Sequence, residues 1–362
     1  MAFSLNCYPV MYRAQHKQGQ WNGEYLEKPH ETPSTEASMS DNQREDLTAS
    51  RNFFNDMPLV SFTSQYGLSC FEGMKALPQK DGGLAIFRPD RNAARFFNSM
   101  KGLYMPPFPE DTFVEASIET VKRNAALGFR PHFQPEWEKD SFMTAHSIYM
   151  RPFTYTEGGI DLRVSQETWV VIVTTPVGSY LPASNFSAVV TDRIRATPKG
   201  TGWIKAASNY VSSILAKHEA QKAGFAECIF LDAVHNKYIE ECSSCNILFY
   251  LKSGKLVTPE LGDTILPGIT RSSILELARD MGTETEERKI SIEEVLQETK
   301  ECFVCGTAVG VSPLTSITYK GKEAVFGGGK TGEFTASIRN TLKGIQYGTI
   351  PDKKGWLTRV TD

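Results

Sequence analysis

"GTGWIKAASNYVSSILAKHEAQKAG" (residues 200–224) reads as a turn, a few extended residues and then a helix, and the role of Lys205 within it decides how the chain is understood. Val211, Ile214, Leu215 and His218 recur at i, i+3, i+4 and i+7, which predicts an amphipathic helix capped by Ser208 or Asn209. Lys205 is the only charge between Gly200 and Leu215 and belongs to no such pattern. Most lysines are solvated and chemically idle, so a role for this one rests on partners elsewhere in the chain.

The whole sequence bounds what those partners can be. A chain of 362 residues suits two domains of roughly 150 residues each. The net charge of −3, with both signs interspersed, offers no basic stripe for a phosphate backbone and so argues against nucleic acid. No apolar run approaches the ~20 residues that span a bilayer, and the longest, "WVVIVTTPV", has the length and composition of a strand, so no membrane is expected. The N-terminal stretch lacks acids before Glu24 but has neither the continuous apolar core nor the basic residues of a targeting segment. The cytoplasm is the expected compartment, with the mitochondrion as alternative. Seven cysteines, an odd number, argue for free thiols in a reducing compartment. Cys242/Cys245 and Cys302/Cys305 are both C-x-x-C, but they lie much further apart than the roughly 15–20 residues of a zinc ribbon. "ECFVCG" also alternates like a buried strand, so no metal is expected.

Residues 27–50 are polar and rich in Pro, Ser and Thr, as a surface arm would be. Ordered patterns start near Leu59: strands joined by a hairpin at Asp81-Gly82-Gly83, helices near 90–101 and 111–127, then the strands "HSIYMRPFTY" and "WVVIVTTPV". "PVGSYLPAS" (176–184) suits a link between domains. Beyond it, strands such as "AECIFLDA" and "CNILFYL" are interspersed with helices near 208–223, 270–281, 291–298 and 334–345, which indicates α+β character. The expected division is an N-terminal extension over 1–58, partly loop; a small α/β domain over 59–177; a linker over 178–187; and a larger domain over 188–362.

"AVFGGGKTGEF" raises a rival function, a phosphate loop at Gly329-Lys330-Thr331, with Asp232 as the magnesium carboxylate. Ala324 replaces the first glycine of that motif, the preceding segment reads as a hairpin arm, and the loop follows the aspartate strand instead of leading it. A turn into the last helix is the better reading. If Lys205 instead forms a Schiff base with a carbonyl cofactor of the pyridoxal phosphate kind, the cofactor makes further demands. Its phosphate needs an arginine and backbone N–H groups, and its ring nitrogen needs a carboxylate. "LPGITRSSILELARDMG" opens a helix with Gly268, Ile269 and Thr270, and "CGTAVG" ends a strand in a tight turn at Thr307 and Ala308. "KYIEECSSCNILFY" ends a strand with Glu240 and Glu241, an odd place for two acids unless one is used.

"YGLSCFEGMKA", "FRPDRNAARF", "YMRPF", "IKAASNY", "EECSSCNI", "LPGITR" and "GTA", in this order from about Leu59 to Tyr347, resemble branched-chain amino acid aminotransferases, fold type IV pyridoxal phosphate enzymes. The resemblance implies a two-domain α+β fold whose larger domain has a mixed-sheet, barrel-like core. It implies a homodimer that moves an amino group between Leu, Ile or Val and 2-oxoglutarate, with glutamate as the other amino acid. D-amino acid aminotransferase and aminodeoxychorismate lyase share that fold and are the nearest alternatives. By the resemblance Lys205 carries the cofactor and shuttles the proton, Tyr210 bonds the phenolate oxygen, and Glu241 faces the ring nitrogen. Arg95, Ile269, Thr270 and Thr307 correspond to the phosphate cup, and Ser244 lies in its "EECSSCNI" motif as a further cofactor contact. Thr307 and Ala308 look like the turn that holds the substrate carboxylate, with Tyr66, Phe71, Tyr149 and Arg151 as a wall of the substrate pocket. An apolar pocket that also accepts glutamate needs donors at its rim, and Tyr149 and Arg151 qualify.

Two departures stand out. The C-x-x-C that mammalian members carry after "GTA" is replaced by Val309 and Ser312, so that redox switch is not expected. "EGGIDLRVS" places Arg163 near a position where relatives have a pocket valine. Either Asp161 and Arg163 pair on the surface, with Leu162 or Val164 in the pocket, or the guanidinium reaches the pocket and favours acidic side chains.

Overall fold

The computed structural model describes residues 7–28, 30, 57–178 and 186–361. Most of the polar arm expected over 27–50 and the core of the expected linker, 179–185, lie outside the described residues. The chain divides into two units. The first gathers the described residues of Met1–Tyr180, Lys205–Ser208 and Gly344–Asp362; the second comprises those of Leu181–Ile204 and Asn209–Lys343.

The first unit is built on β1 (Val10–Lys17), β2 (Gln20–Glu27), β3 (Met74–Pro78), β4 (Leu84–Phe87), β5 (Ser147–Thr156) and β6 (Thr168–Val177). A last strand of the chain, Leu357–Thr361, completes a seven-stranded sheet that runs from it through β4, β3, β5, β6 and β1 to β2. Every pairing in it is antiparallel. The sheet thus recruits residues 10–27 and 357–361 from segments that the sequence assigns to an extension and to the larger domain. Gln18 and Gly19 both take positive φ in the tight β1–β2 turn, a hairpin made without the usual Asn-Gly.

Alternation along β5 decides what this unit can offer chemically. Ile148 and Met150 enter the core with Phe96, Met100 and Phe113, while Tyr149, Arg151 and Phe153 share the other face. Two helices cover the core face. Pro89–Gly102 starts with Pro at its first position and Asp90 in its first turn, and buries Ala93, Phe96 and Met100 at helical spacing. Glu110–Ala126 buries Phe113, Val121 and Asn124. Each large apolar side chain so buried contributes about 1.5–3 kcal/mol. The short helix Phe62–Tyr66, where extended structure was expected, is set by a capping box between Ser61 and Ser64.

The second unit holds two five-stranded sheets. One is β7 (Ser187–Val190), β8 (Glu227–Leu231), β9 (Ile239–Cys242), β15 (Ser316–Tyr319) and β16 (Lys322–Val325); the other is β10 (Asn246–Leu251), β11 (Leu256–Thr258), β12 (Thr285–Glu287), β13 (Thr299–Gly306) and β14 (Gly310–Leu314). Ile229, Ile239, Ile247, Phe249, Val304 and Ile317 from both sheets share one core. Residues 327–329, the glycines of the rival phosphate loop, follow the β15–β16 hairpin with φ of +56°, +64° and +75°. Helix Asn209–Lys222 corrects one expectation. Its apolar stripe points outward, with Val211, Ile214 and Leu215 exposed at 60%, 64% and 48%, and it packs by Ala216 and Ala220 against Cys228 and Phe230. Small residues let a helix approach a sheet closely, and here they take the core side. Among the described residues no helix is long and apolar enough to cross a membrane, and no group of three or more His, Cys, Asp and Glu is placed to hold a metal.

Asn124 is fully buried and ties helix to sheet: it accepts from Val10 N at 3.0 Å, and its Nδ2 donates to Val10 O at 2.8 Å. Asn124→Ala strands both backbone groups and is expected to cost about 2–4 kcal/mol in urea unfolding. A loss below about 0.5 kcal/mol, the size of an ordinary surface change, would show that β1 is not held this way.

Candidate active site

In the first unit, residues 205–207 lie against residues 69–71 as an added strand. Phe71 N donates to Lys205 O at 3.1 Å, Ala207 N donates to Ser69 O at 2.8 Å, and Cys70 bridges Ala206. Lys205 N donates to Ser99 Oγ at 3.3 Å. The lysine is therefore fixed at its Cα, and its Nζ lies 4.7 Å from the centre of the Phe71 ring. Arg151 Cζ lies 4.7 Å from the same ring, and Arg151 Nη2 donates to the Tyr149 hydroxyl at 2.9 Å. Lys205, Phe71, Tyr149 and Arg151 are thus brought together. Gly73 makes this possible, because a Cβ there would meet the Tyr149 hydroxyl at 2.3 Å. Arg151 Nε is buried with no hydrogen-bond partner among the described residues. Tyr66 is more exposed, and its hydroxyl donates to Ile160 O at 2.6 Å.

Arg95 stands on helix Pro89–Gly102 and meets a partner that sequence reasoning missed. Its Nε and Nη2 donate to the two oxygens of Glu72, each at 2.8 Å, and Glu72 is wholly buried. This fork-to-fork pair fixes the guanidinium plane. The available signal was a lone acid in the apolar "CFEGM" run. Arg163 pairs with Asp161 at 3.0 Å with both side chains well exposed, 66% and 59%, as in the surface reading, but Leu162 and Val164 are exposed too, at 88% and 49%, so neither is buried in a pocket as that reading expected.

In the second unit the two glutamates of β9 part company. Glu241 is buried and receives Arg195 Nη2 at 2.6 Å and Asn246 Nδ2 at 3.2 Å. Arg195 also donates to the carbonyls of Gly202 and Thr264. Glu240 faces the other way, and burial pushes its carboxyl up to about 7. Arg195 and Asn246 are further residues that no motif announced. Asn246 Nδ2 also donates to Leu266 O at 3.0 Å, and a Cβ on Gly268 would meet Asn246 Oδ1 at 1.9 Å. Gly268 opens helix Ile269–Asp280 with no side-chain cap, so the N–H groups around Ile269 and Thr270 form its positive end. Asn246 pairs with Cys305 across the β10–β13 ladder, so the exposed turn at Ser244 lies near the half-buried turn at Thr307 and Ala308. A Cβ on Gly306 would lie 4.0 Å from Ser244 O. Tyr210 is half-buried in the first turn of helix Asn209–Lys222.

Each unit therefore joins an arginine to a buried carboxylate beside groups of obvious chemical use. One adds an amine over an aromatic ring; the other adds the amide of Asn246 and an uncapped helix start. Residues 69–317 match the family model described as amino-transferase class IV. The chain is 39% identical over 301 residues to a probable branched-chain-amino-acid aminotransferase of Staphylococcus aureus (strain MRSA252), with 80% of each chain covered. It superposes on the branched-chain amino acid aminotransferase of Escherichia coli with a TM-score of 0.72 at 30% identity, covering 85% of this chain and 95% of that one. The pyridoxal phosphate form of the Thermobaculum terrenum branched-chain enzyme gives a TM-score of 0.71 at 26% identity, covering 84% and 93%.

Glu72→Gln keeps the shape but leaves a buried guanidinium half-paired. The expected result is a loss of about 3 kcal/mol in denaturant unfolding. A loss within 0.5 kcal/mol would mean that the pair carries no weight in the fold.

Proposed function

The chain belongs to the class IV amino-transferase family, and from that premise we propose that it transfers the α-amino group between leucine, isoleucine or valine and 2-oxoglutarate, with pyridoxal 5′-phosphate as cofactor. Its α+β fold is the fold type IV arrangement of these enzymes. The observation that carries the reading is the cluster of Lys205 and Arg151 on one Phe71 ring, an amine and an anion-binding group each 4.7 Å from its centre.

The residues present fit the cofactor. In the first unit Gly73 leaves room for the Tyr149 hydroxyl; in the second Gly268 leaves room for Asn246, which with Arg195 holds the carboxylate of Glu241. When bound, pyridoxal phosphate supplies an electron sink for the charge left as the substrate Cα loses its proton. We assign that proton to Lys205 Nζ, which takes it and holds it for return. Glu241, hydrogen-bonded by Arg195 and Asn246, would face a protonated ring nitrogen, and Tyr210 would donate to the phenolate oxygen. The phosphate falls to Arg95 with the N–H groups of Ile269, Thr270 and Thr307 and to Ser244. Since Glu72 already neutralises Arg95, those N–H groups carry much of the attraction. Thr307 and Ala308 hold the substrate α-carboxylate. Phe71 and Tyr66 face an aliphatic side chain, while Tyr149 and Arg151 supply the donors that glutamate requires.

The exposed stripe of Val211, Ile214 and Leu215 supports a homodimer, since three neighbouring apolar side chains on one helix face are suited to burial against a second copy. Seven buried free thiols suit the reducing cytoplasm.

The purified protein should absorb visible light, with a band that shifts when leucine is added, and Lys205→Ala should abolish turnover. A colourless protein that added pyridoxal phosphate leaves unchanged would refute the assignment. Arg95→Ala should weaken cofactor retention by about 2–4 kcal/mol, the scale of a lost buried charge-assisted bond. Unchanged affinity would move the phosphate elsewhere. Arg163→Val should leave the leucine-to-glutamate ratio of kcat/KM within about twofold, as a surface ion pair predicts. A shift toward leucine of about tenfold, ~1.4 kcal/mol, would place the guanidinium in a substrate pocket.

A further inference from the structure

Glu240 has no part in the chemistry above, yet it is only 6% exposed and its Oε2 has no hydrogen-bond partner among the described residues. Such an atom calls for a donor, because a buried carboxylate oxygen without one is costly. The neighbouring cation, Arg195, directs its Nη2 at Glu241 and the carbonyls of Gly202 and Thr264 and makes no hydrogen bond to that oxygen.

Glu240 lines a cavity of about 200 Å³ that lies wholly within the second unit. Its walls come from the β8–β9 turn and from the loop after β11, with Pro198 and Lys289 completing them. Of the two other acids in the lining, Glu260 is exposed and Asp232 is not available to a ligand. The N–H groups of His235, Lys237 and Tyr238 and the imidazole of His235 already occupy its oxygens. Lys289 lies over the Tyr238 ring at 5.8 Å and Lys237 over the same ring at 5.5 Å, so both ammonium groups have an aromatic partner. Much of the remaining lining is apolar: Ile239 and Ile265 are buried, and Val234 and Leu261 are exposed.

We propose that this cavity is a second small-molecule site, on the opposite face of β9 from Glu241, taking a compact aliphatic cation with N–H donors whose head bonds Glu240 and whose hydrocarbon packs on Val234 and Leu261. A donor is required because Oε2 accepts, a positive charge because the partner is a buried acid, and a short hydrocarbon because the walls are apolar and the space is small. Ammonium and guanidinium heads share this chemistry. The site does not depend on the aminotransferase reading, and its test reads binding alone.

The probe is n-butylguanidinium, whose head does not condense with an aldehyde as a primary amine does. Calorimetric titration into the holoenzyme at pH 8 should show saturable binding at one site per chain. Glu240→Gln, similar in shape and uncharged, should weaken it at least about tenfold, equivalent to ~1.4 kcal/mol. Leu261→Trp fills the cavity from an exposed position, so it should fold even if the first variant does not, and should block the probe while leaving the visible band unchanged. No saturable binding to the wild type, or equal binding in wild type and both variants, overturns the proposal. Weakening in Glu240→Gln with full binding in Leu261→Trp moves the cation out of this cavity and overturns it as well.

Discussion

The backbone strap that holds residues 205–207 on residues 69–71 is the constraint from which the chemistry of the first unit follows. A lysine side chain is long and entropically expensive to order, and its reach is useful only if its Cα does not move. Bonds from Phe71 N to Lys205 O and from Ala207 N to Ser69 O supply that fixity, and Lys205 N is held by Ser99 from the helix above. Phe71 then serves twice, as a strand residue in the strap and as the ring on which Lys205 and Arg151 both rest. Tyr149 and Arg151 reach this place because alternation along β5 puts them on the face that the core does not use.

The second recurring device is a buried arginine locked to a buried carboxylate. Glu72 fixes Arg95 in one unit; Arg195 fixes Glu241 in the other. Such pairs add little net stability, since desolvation offsets much of the attraction, but losing one partner leaves a stranded charge. Their value is orientation. Asn246 extends the second pair by tying Glu241 to the carbonyl of Leu266, next to the helix start at Gly268. One side chain thus sets the positions of a carboxylate and a loop entering an uncapped helix start.

Local signals made much of this legible. The helix expected near 90–101 forms as Pro89–Gly102, the hairpin expected at Asp81-Gly82-Gly83 joins β3 to β4, and the strand expected at "HSIYMRPFTY" is β5. Long-range pairing was not legible. The strand Leu357–Thr361 joins β4 from the far end of the chain, and β1 and β2 carry too many polar residues to read as sheet. Helix Asn209–Lys222 was found by its apolar period but turned the wrong way, because Ala216 and Ala220, not the larger side chains, face its sheet. Glu72, Arg195 and Asn246 escaped because each matters through a partner distant in sequence. Alternation alone could not choose between Glu240 and Glu241; the choice is made by the arginine that only folding brings to one of them.

That choice is the central claim, and a paired substitution tests it. Single-turnover reaction with leucine, followed in the visible band, should slow about a hundredfold or more in Glu241→Gln, the scale of removing one preorganised charge from a reacting site. It should stay within about twofold of wild type in Glu240→Gln. Equal rates in the two variants, or the larger loss at Glu240, would contradict the assignment of Glu241 as the carboxylate that Arg195 and Asn246 hold for catalysis.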